Sequence, residues 1–341
     1  MRVVRTIIIL LLIFSRQNST AQFVKLFSDS LKTLKPTLAL GNIIEKNGSF
    51  YMANQSSDGV GTIQTLAKFD TAGRTIWTTH PLNYIDAGVF NQNRAFQKIV
   101  FGIEGSNIYS LLDGARIGKI RENNGSMDWI SSVTNIFGSS RVNFIDYDSV
   151  SVIYANAAAS FNTVRLCRVS KSNGQNIGYV DLPCNQPAGF GIYIINKNIY
   201  LASLDTCYKY TSFDDPTLLW KTRISNSFGF SDIGSFDQSG NDLLIFGSRN
   251  STFSNGRIAC VDKQTGTFKW LTELGGSYSV YHVDHKIKNG SLYTAWEHVY
   301  VGSIDERCLI NKINLSTGAM IWQFNHAFRT QYVVSLPTEA M

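Results

Sequence analysis

Charge is scarce in this chain. Asp, Glu, Lys and Arg supply 16% of its 341 residues, and Asn, Ser and Thr carry much of the remaining polarity. That balance suits the surface of β-sheets better than that of helices. No run of Lys and Arg occurs, which argues against a nucleic-acid-binding face. Past the first residues, no stretch approaches the roughly 20 apolar residues of a membrane helix. Helical periodicity is weak throughout. Sequence signatures of common chemistries are missing as well: there is no Gly-x-Ser-x-Gly elbow, phosphate loop or His-Glu-x-x-His.

What is present begins with an export-type leader. Arg2 and Arg5 precede the apolar run Ile7 to Phe14, and small residues follow at Ser19 and Ala21. This is the order of a secretory signal peptide, and the apolar run is too short to span a bilayer. Residues 1–21 are therefore expected to be cleaved after Ala21, leaving residues 22–341 as one exported domain, extracellular or periplasmic. Removing Arg2, Arg5 and Arg16 lowers the formal charge from +6 to +3. The five cysteines, Cys167, Cys184, Cys207, Cys260 and Cys308, all lie in the mature part. None is near the cleavage point, which argues against lipid attachment there. The odd count leaves at least one unpaired. Cys184 with Cys207 is the best candidate disulfide, whereas Cys260 reads as a small buried hydrophobe.

The strongest signal is a repeated phrase, Gly followed four residues later by Trp. It occurs at Gly73/Trp77, Gly125/Trp129, Gly266/Trp270 and Gly318/Trp322, with degraded copies at Gly174/Gly178 and Pro216/Trp220. The last residues of the copies are spaced 52, 49, 42, 50 and 52 apart. Such a period marks an array of supersecondary units, none able to bury its own apolar face alone. Ahead of each copy an aromatic sits in a short apolar run: Tyr51, Tyr109, Tyr154, Tyr200, Phe246 and Tyr293. Hairpin signals at Asn47-Gly48, Lys197-Asn198 and Asn289-Gly290 precede several of them. Alternating runs on either side, such as Gln97 to Ile103 and Gly256 to Val261, bring each repeat to four short strands. Four-stranded units about every 50 residues predict an all-β propeller. The Gly is expected to take positive φ in the turn between third and fourth strands. The Trp is expected to cover the gap to a neighbouring blade and donate its N–H to a backbone carbonyl. Trp296 alone falls outside the register.

Six repeats are complete. Phe23 to Phe27 and Tyr332 to Leu336 read as stray strands that either form a partial seventh blade or, for the first, close the sixth. The expectation is six to seven blades, or eight if the chain is a piece of a longer propeller.

The run Cys260-Val-Asp262-Lys-Gln-Thr265-Gly266-Thr-Phe-Lys-Trp270 resembles the tryptophan-docking repeat of the pyrroloquinoline-quinone-type (PQQ-like) propellers, Ala-x-Asp-x-x-Thr-Gly-x-x-x-Trp. Lys312 to Trp322 is similar, with Asn314 for Asp. The copy at Asp70, Gly73 and Trp77 is one residue shorter. The resemblance covers residues 23–341 and implies the quinoprotein alcohol dehydrogenase-like propeller fold. Some members are quinoprotein dehydrogenases using PQQ with calcium; others are non-catalytic, such as the propeller of the outer-membrane barrel assembly machinery. The adjacent Cys-Cys pair typical of the dehydrogenases is absent, and no catalytic Asp can be matched. The resemblance therefore implies the fold and assigns no cofactor.

Candidate sites are sparse. His282, Asp284 and His285, with His298 further on, form the densest set of ligand-type residues. Strict strand alternation puts 282 and 284 on one face and 285 on the other, so only His282 and Asp284 are expected to converge. A surface or turn role is the simpler reading, and no metal is assigned. Asp146, Asp237 and Asp284 fall in or beside the first strand of three repeats, the strand that lines the channel of a propeller. The sequons at Asn47, Asn54, Asn124, Asn250, Asn289 and Asn314 are accounted for by turn chemistry. The long segment His80 to Phe96, with Tyr84, Phe90 and Phe96, is the best candidate binding loop. The reading favoured by the sequence is an exported, non-catalytic propeller that binds a protein or glycan partner. A quinone-dependent dehydrogenase and a carbohydrate-binding module are the alternatives.

Overall fold

The computed structural model describes residues 10–12, 23–25, 37–57, 61–79, 84–86, 101–111, 117–131, 145–157, 162–185, 191–224, 230–249, 255–274, 279–299 and 305–329. Over these residues the chain is an all-β propeller of six antiparallel blades, with no helix. A short pair, β1 (Leu10–Leu12) and β2 (Phe23–Lys25), precedes them. The first blade runs β3 (Thr37–Lys46), β4 (Ser49–Ser57), β5 (Gly61–Phe69) and β6 (Thr75–Thr78), with β7 (Tyr84–Asp86) added on β5. The second holds β8 (Phe101–Glu104), β9 (Asn107–Leu111), β10 (Ile117–Arg121) and β11 (Met127–Ile130). The third holds β12 (Ile145–Tyr147), β13 (Ser151–Ala157), β14 (Thr163–Ser170) and β15 (Asn176–Pro183). The fourth holds β16 (Gly191–Ile195), β17 (Asn198–Ser203), β18 (Thr206–Tyr210) and β19 (Leu218–Arg223). The fifth holds β20 (Phe230–Ser239), β21 (Asp242–Arg249), β22 (Gly256–Asp262) and β23 (Phe268–Leu274). The sixth holds β24 (Ser279–Lys288), β25 (Ser291–Val299), β26 (Asp305–Asn314) and β27 (Met320–Arg329). By internal contacts the chain divides into two compact units, residues 1–154 with 167–178 and residues 155–166 with 179–341.

Asn sets the inner hairpins. Asn47-Gly48 and Asn289-Gly290 have positive φ at both positions, the mirror-image turn whose twist matches paired strands. In the fourth blade that turn is Asn196-Lys197, at 49° and 69°, one residue earlier than the sequence suggested. Asn198 already pairs with Ile195.

The Gly and Trp of the repeat meet between successive blades. A Cβ on Gly125 would lie 2.7 Å from Trp77, and one on Gly174 would lie 2.5 Å from Trp129. In the second unit the same holds for Gly266 against Trp220, at 2.7 Å, and for Gly318 against Trp270, at 2.6 Å. All four glycines have φ between 72° and 74°, so the turn and the approaching ring each demand glycine. Gly174 keeps this role although its own repeat has lost Trp. Trp77, Trp129, Trp220 and Trp270 thus each pair with the glycine of the following repeat. Trp77, Trp129 and Trp220 donate Nε1–H to the carbonyls of Glu122, Lys171 and Lys263, at 3.0, 2.9 and 3.3 Å. Trp270 Nε1 is buried without an acceptor among the described residues.

The turn before each Trp is tied by a side chain. Asp262 Oδ1 accepts the N–H groups of Gln264 and Thr265 at 2.9 Å, and Asn314 Oδ1 does the same for Ser316 and Thr317. In four copies the glycine N–H bonds the carbonyl four residues back. In the shorter first copy Gly73 bonds Asp70, three residues back. A register shift then follows beside the Trp in five blades.

Registers also correct the aromatic series. Tyr51, Tyr109, Tyr200 and Tyr293 lie opposite Lys68, Lys119, Lys209 and Lys312, which in turn face Trp77, Trp129, Trp220 and Trp322. Lys68, Lys209 and Lys312 place their ammonium groups 5.4–5.6 Å from the tyrosine ring centres. In the fifth blade the residue in that row is Leu244, opposite Cys260, and Phe246 lies two positions away. In the third blade the backbone bond from Lys171 N–H to Val150 aligns Ile153, not Tyr154, with the row. Phe246 and Tyr154 therefore lie off the row, because spacing along the chain does not fix strand register.

Three other expectations change. Phe23–Lys25 pairs with Leu10–Leu12, while Tyr332 to Leu336 lies outside the described residues. Part of the expected loop His80 to Phe96 is strand: Tyr84 pairs with Ile63 and Asp86 with Gly61. Cys184 and Cys207 are buried and not joined in a disulfide, and Cys167 and Cys260 are likewise buried outside any disulfide. Cys184 follows the last strand of the third blade and bonds the Ser203 side chain of β17, while Cys207 sits inside β18 opposite Ala202. Burial raises the Cys184 thiol to about 11 and the Cys260 thiol to about 12. Trp296, the tryptophan outside the repeat, is a wholly buried core residue of β25.

Candidate functional site

Two irregular first strands build a polar cluster in the second unit. On β20, Ser235 and Asp237 pair with Phe246 and Leu244, so they share one face. On β24 the register shifts between His282 and Asp284: His282 pairs with Trp296 and Asp284 with the adjacent Ala295. Val283 is the extra residue of a β-bulge. The bulge reverses the parity expected from the sequence. His285 now pairs with Thr294 and falls on the same face as His282.

The four side chains form one chain of contacts. Ser235 Oγ lies 3.0 Å from His282 Nδ1. His282 Nε2 lies 3.2 Å from His285 Nδ1. His285 Nε2 lies 3.1 Å from Asp237 Oδ2, and the other Asp237 oxygen accepts the Gln238 N–H at 2.7 Å. Burial pushes the Asp237 carboxyl up, but the bonds from His285 and Gln238 and the charge of His285 outweigh it and leave it below its ordinary value. An ionised carboxylate only accepts. His285 Nε2 therefore carries its hydrogen. With both rings neutral, His282 Nε2–H donates to His285 Nδ1 and the Ser235 hydroxyl donates to His282 Nδ1. The three bonds then run in one direction toward Asp237.

Aromatic rings hold this arrangement. Phe246 stacks on both imidazoles, with ring centres 4.7 Å from His282 and 4.2 Å from His285. Trp296 meets His282 edge-on at 5.0 Å. Phe246 and Trp296 are fully buried, so the rings have little room to turn. Among the described residues, no group of three or more His, Cys, Asp or Glu side chains is placed to hold a metal ion.

The other candidates are dispersed. Asp146 lies on β12 opposite Ile153 and is half-buried. Asp284 and His298 are placed only by register, His298 opposite Val280 and Arg307. Tyr84 lies on β7, and Phe90 and Phe96 fall outside the described residues. Ser235 was not singled out from the sequence. Its only signal is the Ser-x-Asp spacing of 235 and 237, which is too common to stand out.

A second polar centre serves the scaffold in the first unit. Tyr51 Oη and Lys68 Nζ both donate to Glu122 Oε1, whose residue also accepts Trp77 through its carbonyl. Bonds from Lys68 and Tyr51 hold the Glu122 carboxyl below its ordinary range against the opposing effect of burial. These residues fasten one blade to the next.

No protein-family model and no curated protein matches the chain. Solved structures do. The chain is similar to BamB from Moraxella catarrhalis, at 12% identity over 89% of this chain and 80% of that one, with a TM-score of 0.50. It is similar to the quinohemoprotein alcohol dehydrogenase ADHIIG from Pseudomonas putida HK5, at 9% identity over 84% of this chain and 60% of that one, with a TM-score of 0.51. At such identities the likeness is one of fold.

Proposed function

We propose that the chain is an exported, non-catalytic propeller that binds a protein partner through its outer strands and connecting segments. One observation carries this reading. The fourth strands expose large apolar side chains: Ile76, Leu219 and Ile321 are each 50% exposed at the position just before the Trp, and Ile177 and Tyr179 exceed that. Exposed sheet edges are ordinarily guarded by charge or proline, so repeated apolar exposure on them supports contact with another chain. The segment His80 to Phe96, with Tyr84, Phe90 and Phe96, adds a second contact under this reading. The signal-like residues 1–21 and the resemblance to exported propellers support the location, and sequencing the mature terminus tests it: Gln22 is expected first.

A photo-crosslinking residue placed at Ile321 or Leu219 in the producing cell tests the interaction. A discrete heterologous adduct is expected, absent when the probe sits at the exposed hairpin residue Asn47. Adducts of equal yield at all three positions, or none at any, refute it. The fold also suits a quinone-dependent dehydrogenase. Pyrroloquinoline quinone with calcium would then raise the melting temperature and support dye reduction by alcohols. A glycan array addresses the carbohydrate reading, for which Tyr179, exposed and backed by the Arg165 guanidinium at 4.0 Å, is the best platform.

A further inference from the structure

We infer that His282 and His285 form a two-histidine site for a divalent transition-metal ion, with Ser235 and Asp237 orienting the two rings. The first argument is the shape of the pair. Two imidazoles bound side by side on a tetrahedral ion at about 2.05 Å have their nitrogens about 3.3 Å apart and their ring centres about 5.2 Å apart. His282 Nε2 and His285 Nδ1 are 3.2 Å apart, and the ring centres are 5.1 Å apart. Rings meeting head-on across a 3.2 Å hydrogen bond would have centres about 5.5 Å apart, from the same ring dimensions. The observed separation of the ring centres lies closer to that of an ion-bridged pair than to that of a head-on hydrogen bond.

The second argument is the outer ring nitrogens. Metal-bound histidine almost always gives its other N–H to a carboxylate, a carbonyl or another oxygen, which fixes ring and tautomer. His285 has Asp237 in that place at 3.1 Å, and His282 has Ser235 at 3.0 Å. Asp237 is thus spent on orientation and is not counted as a ligand. The ion takes the place of the hydrogen between the rings. That hydrogen moves to His282 Nδ1, and Ser235 Oγ turns from donor to acceptor, which a hydroxyl can do. No proton is lost in the exchange. Phe246 stacks on both rings and Trp296 meets His282 edge-on, which restricts their rotation.

Imidazole pairs favour Zn(II), Ni(II) and Cu(II) over calcium or magnesium. Two protein ligands leave two positions for water or for a side chain brought by a partner. Those positions distinguish this site from a closed structural one.

The test uses untagged full chain stripped with chelator, Zn(II) alone as the probe, and calorimetry beside thermal melts. Saturable binding near one ion per chain is expected, with a rise in melting temperature. His282→Gln and His285→Gln should each abolish it while still melting cooperatively. Asp237→Asn keeps both ligands and should weaken binding by roughly 10- to 100-fold. The absence of a response in the parent chain overturns the inference. So does a response in either histidine variant equal to that of the parent chain. If those variants fail to fold, unchanged affinity in Asp237→Asn overturns it. Calcium should give no response, and a calcium response equal to that of zinc also refutes it.

Discussion

Substituting Ala for Gly266 tests the docking geometry most directly, because the same blade provides its control. Gly266 and Gly240 both lie in turns of the fifth blade with positive φ, at 74° and 56°. A Cβ at Gly240 meets nothing within 4 Å, whereas one at Gly266 would lie 2.7 Å from Trp220 Cδ2 and 2.9 Å from Cε3 and Cγ. Left-handed backbone costs an Ala about 1–2 kcal/mol. Gly240→Ala should cost that and no more. Gly266→Ala carries the same strain plus overpacking against a ring held by its bond to Lys263, which adds about 1–3 kcal/mol. The expected totals are about 1–2 and about 2–5 kcal/mol. Urea unfolding of both variants, followed by tryptophan fluorescence, reads the difference. Combining Gly266→Ala with Trp220→Ala should recover the overpacking part, a coupling of about 1–3 kcal/mol. Equal losses in the two single variants, or strictly additive losses in the double variant, would refute the close approach of ring and glycine.

Other consequences follow from the same contacts. Trp129→Phe should cost about 1 kcal/mol more than Trp270→Phe, because Trp129 loses its bond to Lys171 whereas Trp270 has no acceptor among the described residues to lose; paired melts decide it. Asp237 is held below its unfolded value, so its contribution is present above the ordinary carboxylate range and is lost as pH falls through the lowered folded value. Asp237→Asn should therefore flatten part of the acid limb of melting temperature against pH, and an unchanged limb would contradict this. Cys167, Cys184, Cys207 and Cys260 are buried, so Ellman's reagent should reach none of them until the protein unfolds. Leu204 holds φ at 52° in the β17–β18 hairpin, and Leu204→Gly should raise the melting temperature by relieving that strain; a lower one would mean that lost packing outweighs it.

The period of Gly and Trp, the four-stranded unit and the all-β class were legible in the sequence. Each depends on local rules that repeat: alternation along a strand, glycine where φ is positive, and a large ring at a fixed distance after it. The Asp-x-x-Thr-Gly turn is local in the same sense, since Asp262 bonds residues two and three positions on. Repetition made these signals readable, because an error in one copy was corrected by the others.

The polar cluster had no such help. His282 and His285 seemed to point apart because alternation was assumed to be unbroken, and the bulge at Val283 exists only in the pairing of β24 with β25. Ser235 and Asp237 lie about 50 residues away in the chain and reach the histidines only when two first strands are packed together. Register likewise places Phe246 and Tyr154 off the row of repeat residues. Sequence by itself determined the blades, because their marks act within a few residues of each other. Tertiary structure alone decided which side chains meet, because a one-residue shift in register turns every following side chain to the opposite face.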